Sequence, residues 1–182
     1  MTKLKTTSRL IVYTLLLSSL AGCLGAFRSH STMETGPTFD PISFFEGRTR
    51  GEGTLDVRGR AGRPLGVDGR GTRQLDGSLR LEQTITFGDG VVDKRVWLMS
   101  RVDSTHFRAT LSDATGEVTA DVNGNVFHLR YLLRHPRVYM EQWLYLQPDG
   151  RSASNRAEVT VIGIPWARLT ETITRVDEVV RY

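Results

Sequence analysis

The chain reads as an all-β protein: an antiparallel up-and-down barrel of about eight to ten strands with a short N-terminal helical turn. Three observations predict it. Apolar residues recur with period two over most of the sequence after Phe39. Turn-forming pairs break these runs at intervals of about 10 to 20 residues, the spacing of hairpins in series. No stretch sustains a helical period, so no helix is available to cover a sheet face. A sheet left bare in this way must fold double or close on itself, and closure removes exposed edges.

The first element follows Phe39-Asp40-Pro41. Asp40 suits an N-cap and Pro41 the first helical position, which predicts one helical turn over Ile42 to Phe45. Between Arg48 and Arg73 the chain is rich in glycine and carries seven arginines against Glu52, Asp56 and Asp68. Strand glycines permit the bulges and coiling that barrel closure requires. The arginines suit solvated strand exteriors, or a face that meets anionic lipid headgroups. Gly51-Glu52-Gly53, Gly59-Arg60 and Gly69-Arg70-Gly71 lack the lysine and following helix of a phosphate loop.

Beyond this stretch the alternation is plain. Leu79, Leu81, Ile85 and Phe87 alternate with Arg80, Glu82, Thr84 and Thr86, the pattern of a half-buried strand. Phe127, Leu129, Tyr131 and Leu133 repeat it with His128 and Arg130, and Met140, Gln142, Leu144 and Leu146 interleave with Glu141, Trp143 and Tyr145. Turns are expected at Leu75-Asp76-Gly77, Gly88-Asp89-Gly90, Asp103-Ser104, Asn123-Gly124 and Pro148-Asp149-Gly150, where Asn-Gly and Asp-Gly supply the positive φ of tight hairpins. A membrane-spanning barrel would show an apolar outer band and aromatic girdles, whereas the outward positions here carry Arg, Glu and Thr.

The N-terminal segment is of a different kind. Lys3, Lys5 and Arg9 precede the apolar run Leu10 to Leu20, and Leu20-Ala21-Gly22 leads directly into Cys23, the single cysteine. The run is about half the roughly 20 residues that a spanning helix needs, so residues 1–22 read as an export signal. A cysteine after Leu-Ala-Gly resembles the lipobox of bacterial lipoproteins, which implies that Cys23 is acylated and becomes the mature N-terminus. Leu24 stands where an aspartate would resemble an inner-membrane retention signal, so the resemblance implies delivery to the outer membrane, with the protein facing the periplasm. Residues 23–38 form the acylated cysteine and a flexible tether, which would hold the domain roughly 20 Å from the anchor. Residues 39–182 form the barrel domain.

Charge narrows the function classes. The whole sequence has a net charge of +4, but of its 24 basic residues Lys3, Lys5 and Arg9 precede Cys23, leaving 21 against 20 acidic residues. That balance argues against a nucleic-acid partner, which calls for a basic excess on one face. With no second cysteine the fold relies on packing and hydrogen bonds rather than a disulfide. His30, His106, His128 and His135 lack the close spacing that would pair them as metal ligands on one strand, so neither metal nor cofactor is expected. No Gly-x-Ser-x-Gly elbow marks a nucleophile, no catalytic residue is expected, and the chain reads as a non-enzyme.

Arg95, Trp97, Tyr131, Trp143, Tyr145, Asn155 and Arg156 are the candidate ligand contacts, because large amphipathic residues on several strands can line one cavity. In that reading Trp97, Tyr131 and Trp143 form a pocket wall and Arg95 or Arg156 meets a polar headgroup. In the competing reading the aromatics are core and the arginines pair with Glu82, Glu141 or Glu158.

A family resemblance runs through the same residues. The order Phe39-Asp40-Pro41, Phe44-Phe45-x-Gly47, Asp89-Gly90, Arg95-Val96-Trp97, Asp113-x-x-Gly116, Arg130-Tyr131, Trp143-x-Tyr145-Leu146 and Asn155-Arg156-Ala157 resembles a family of uncharacterised Gram-negative bacterial lipoproteins, a domain of unknown function. It covers roughly residues 39 to 175 and implies a lipocalin-like barrel. The chain departs from it at Glu141-Gln142-Trp143-Leu144, where an aspartate pair before the tryptophan is expected. The functional expectation is a membrane-anchored periplasmic lipoprotein whose barrel binds a lipid-like or other apolar small molecule. The alternative is a non-catalytic envelope scaffold that docks a protein partner, itself unknown, through its outer face.

Overall fold

The computed structural model describes residues 36–133 and 137–177. The export signal, Cys23, His30, His135 and the tether up to residue 35 lie outside the described residues.

Local chemistry sets the first element. Asp40 accepts hydrogen bonds from the N–H groups of Ile42 (3.1 Å) and Ser43 (3.4 Å), and Pro41 opens the helix α1 (Pro41–Phe45). Ten strands follow: β1 (Gly47–Val57), β2 (Arg63–Arg73), β3 (Leu79–Phe87), β4 (Val92–Arg101), β5 (His106–Leu111), β6 (Ala114–Asn123), β7 (Val126–Leu133), β8 (Val138–Leu146), β9 (Ser152–Val161) and β10 (Ile164–Val176). Each pairs antiparallel with the next, and β1 pairs with β10 from Arg48 opposite Val176 to Val57 opposite Ala167, which closes the barrel. The all-β, up-and-down fold is as the alternation predicts, at the upper end of the expected strand count.

One end of the barrel is plugged. Phe39, Ile42, Phe44 and Phe45 bring α1 onto the inward faces of the strands, where Phe39 lies 5.7 Å from Phe127 and Phe127 lies 5.9 Å from Phe107, ring centre to ring centre. Three arginines clip the plug in place: Arg101 on Asp40 (2.8 Å), Arg73 on Glu46 (2.8 Å), and Arg175 on the carbonyls of Ser43 and Phe44. Gly71 is needed at this junction, because a Cβ there would stand 1.9 Å from the Phe45 carbonyl oxygen. The outer face is charged: Arg50 pairs with Glu52 and Asp68, Arg80 with Glu82, Arg108 with Glu117, and Arg168 with Glu158. The arginines of β1 and β2 are therefore mostly paired strand exteriors, and pairs so exposed contribute little to stability.

Candidate functional site

Period two decides what the barrel interior contains. Inward positions on the plugged half are buried apolar residues, among them Leu79, Met99, Phe107, Val122, Phe127 and Leu146. On the other half Leu55, Leu65, Val67, Leu133, Val159 and Leu169 also face inward yet are only half-buried. The core therefore stops short, leaving a cavity of about 230 Å³ between the phenylalanine floor and the far loops. That is the liquid volume of roughly seven or eight waters. It lies a little below the range of about 300 Å³ upward typical of drug-sized ligands, and suits a compact one. Around the open end Val91, Val92, Tyr139, Ile162, Ile164 and Trp166 are exposed.

The wall is largely apolar, and its polar groups come from strands far apart in sequence. Arg95 on β4 pairs with Asp113 in the β5–β6 turn (3.1 Å). Trp97 donates from Nε1 to Gln83 Oε1 (2.8 Å) and meets Tyr131 edge-on at 5.6 Å. The Tyr131 hydroxyl donates to Gln142 Oε1 (3.0 Å) and contacts the Met140 sulfur (3.0 Å). Asn155 on β9 donates from Nδ2 to Glu171 Oε2 on β10 (2.9 Å), and both side chains are buried. Asn155 Oδ1 and Asp113 Oδ1 are buried with no hydrogen-bond partner among the described residues.

Glu171 is the electrostatic centre of this arrangement. Burial pushes its pKa above the ordinary value of 4.5, against the opposing pull of the Asn155 hydrogen bond and the Arg95 charge. Space for its carboxyl is made by β1, because a Cβ at Gly51 would lie 1.9 Å from Glu171 Oε1. Burial likewise raises the Tyr131 pKa, with Arg95 acting in the opposite sense.

Of the seven residues expected to contact a ligand, Arg95, Trp97, Tyr131 and Asn155 converge inside the barrel: Arg95, Trp97 and Asn155 line the cavity, and Tyr131 packs against its wall. Trp143, Tyr145 and Arg156 do not. They occupy the opposite phase from Gln142, Leu144 and Asn155, so they lie on the outer face. There Trp143 stacks on His128 at 5.2 Å, and His128 Nε2 lies 2.8 Å from Glu141. Adjacent residues on one strand cannot both face inward, which rules out Asn155-Arg156 acting together in one cavity. Sequence reasoning missed Gln83 and Glu171 as site residues. Each interrupts an apolar phase, Gln83 between Leu81 and Ile85 and Glu171 between Leu169 and Ile173, and a polar residue in phase with the core is the signal that would have found them. Among the described residues no group of three His, Cys, Asp or Glu side chains is placed to hold a metal ion.

Solved structures share the architecture. The S-type phycobiliprotein lyase CPES from Guillardia theta superposes with a TM-score of 0.59 at 12% identity, over 75% of this chain and 91% of that one. A protein of unknown function from the DUF3598 family of Nostoc punctiforme gives a TM-score of 0.59 at 15% identity, over 81% of this chain and 53% of that one. At such identities the likeness shows the fold, a lipocalin-like barrel. It also corrects the expectation that the chain is not an enzyme, because a barrel of this architecture serves a phycobiliprotein lyase. That expectation relied on motifs that are continuous in sequence, whereas the polar groups here are assembled from β4, β7, β9 and β10. No curated protein matches the chain. The family described as Protein of unknown function (DUF3833) matches residues 17–175, and the chain belongs to that family.

Proposed function

We propose that this barrel binds one compact apolar molecule with a polar end, held with its apolar body between Leu65, Val67, Leu129 and Leu169 and its polar end toward Arg95, Asn155 and Glu171. The observation that carries the reading is a cavity of about 230 Å³ whose apolar wall is broken by a few convergent polar groups from separate strands. Pockets that take small molecules have this composition, whereas a barrel used only for its outer face would be filled to interior density. Trp97, Gln83 and Gln142 complete the contacts, with Tyr131 packed behind Trp97 and Gln142. We place the barrel at the periplasmic leaflet of the outer membrane, anchored through acyl chains on Cys23. The exposed rim of Val91, Val92, Tyr139, Ile162, Ile164 and Trp166 supports that setting, since it gives an apolar molecule a route between a lipid surface and the cavity that avoids water.

Native mass spectrometry of the full chain, extracted from the envelope in a bulky steroid-based detergent, tests the binding reading. The expected result is a defined added mass, or uptake of one equivalent of 1-decanol when it is supplied. The cavity-filling variant Val67→Trp should lose both. A bare chain that takes up no decanol overturns the proposal. The anchor is tested separately: the mature chain should begin at acylated Cys23, and an N-terminus elsewhere removes the lipoprotein reading.

A further inference from the structure

The polar pole of the cavity has a charge balance that selects among apolar ligands. Its single cation among the described residues, Arg95, is already engaged by Asp113 at 3.1 Å. A second carboxyl, Glu171, is buried nearby without an ion pair among the described residues. It accepts one hydrogen bond at Oε2, from Asn155, while no hydrogen bond of Oε1 is found among the described residues. Asn155 Oδ1 is a further buried acceptor with no partner among the described residues. Among the described residues the pole is thus short of hydrogen-bond donors and holds two carboxyls to one guanidinium. A ligand carboxylate would be the third, brought against the buried Glu171. A hydroxyl or an amide N–H would instead supply the missing donor and add no charge.

We infer that the cavity takes apolar molecules ending in an uncharged hydrogen-bond donor, a hydroxyl or an amide N–H, and rejects those ending in a carboxylate. This rests on the binding reading above. Glu171 is the selecting residue: its carboxyl accepts from the donor and repels the anion. Gly51 is its companion, because only a residue without a Cβ leaves the carboxyl room beside β1.

A competition between 1-decanol and decanoate, at equal concentration near neutral pH, tests the selection. The full chain in steroid-based detergent is read by native mass spectrometry, which separates the two adducts by mass. The decanol adduct should exceed the decanoate adduct at least about tenfold, as expected when a like charge is brought into a water-poor site. Glu171→Gln keeps the side-chain volume and removes the charge, and should cut that ratio at least about tenfold. In the change of that ratio between the natural chain and Glu171→Gln, any difference in how the two adducts ionise cancels. Decanoate bound as well as decanol by the natural chain, or a ratio unmoved by Glu171→Gln, overturns the selection while leaving the cavity reading intact. Binding of neither probe overturns the cavity reading itself. Should Glu171→Gln not fold, the ratio in the natural chain decides alone.

Discussion

Single side chains separate the inside of this barrel from its outside, and their energetics follow. Trp97 is 6% exposed, hydrogen-bonded to Gln83 and packed on Tyr131, so Trp97→Ala should cost about 3 to 5 kcal/mol in chemical denaturation. Trp143 lies half-buried on the outer face and stacks on His128, so Trp143→Ala should cost only about 1 kcal/mol. Equal losses would mean that the two faces are not distinguished as described. Gly51 makes a sharper test. Gly51→Ala forces a Cβ onto the Glu171 carboxyl and should cost about 1 to 3 kcal/mol. In the Glu171→Ala background most of that cost should vanish, and a purely additive double mutant would separate Gly51 from Glu171. Residue type alone suggested a pocket of large amphipathic side chains, and it named Trp143, Tyr145 and Arg156 alongside true cavity residues. Phase along the strand was the better guide, because the same alternation that places Gln142 inward places Trp143 outward.

Strands and the chemistry of most turns were legible for a physical reason: a strand half in water must alternate, and a tight turn must find a residue that tolerates positive φ. Gly77, Gly90, Gly124 and Gly150 all have positive φ, at 82°, 84°, 57° and 64°. The turns that escaped notice use other means. Ser112 and Asp113 connect β5 to β6 without a glycine, and the β9–β10 turn sets Ile162 at φ 50° before Gly163 at φ 76°. A β-branched residue in the left-handed region is strained, and asparagine relieves that strain. Ile162→Asn should therefore raise stability by about 1 kcal/mol in denaturant titration. If the apolar rim serves exchange with lipid, the same variant should take up 1-decanol from vesicles more slowly than the natural chain. A variant that is more stable and equally fast would leave the rim without that role. The cavity itself was not legible, since volume depends on which inward residues stop short of one another across ten strands, and no single strand records it.

For the whole molecule, two opposed sets of carboxyls shape stability against pH. Asp76, Asp89, Asp103 and Asp149 each accept a backbone N–H two residues on, so every one of these turns is tied by its own side chain. Their pKa values are lowered, chiefly by Ser78 on Asp76, Arg63 on Asp89, the Thr105 N–H on Asp103, and Ser152 on Asp149. A lowered native pKa gives stability that is present above the unfolded value of 3.8 and is lost as pH falls through the native one. Glu171 runs the other way. Its raised native pKa gives stability that is present below 4.5 and is lost as pH rises through the native value, where burial must then accommodate a charge. Between an acid limb set by the turns and an upper limb set by the cavity, the melting temperature should peak at mildly acidic pH. Glu171→Gln should flatten the upper limb and leave the acid limb in place, while Asp103→Asn should soften the acid limb alone. Melting curves from pH 3 to 8 decide the matter. A Glu171→Gln chain that loses as much between pH 5 and pH 8 as the natural one would show that burial does not raise the Glu171 pKa in the folded barrel.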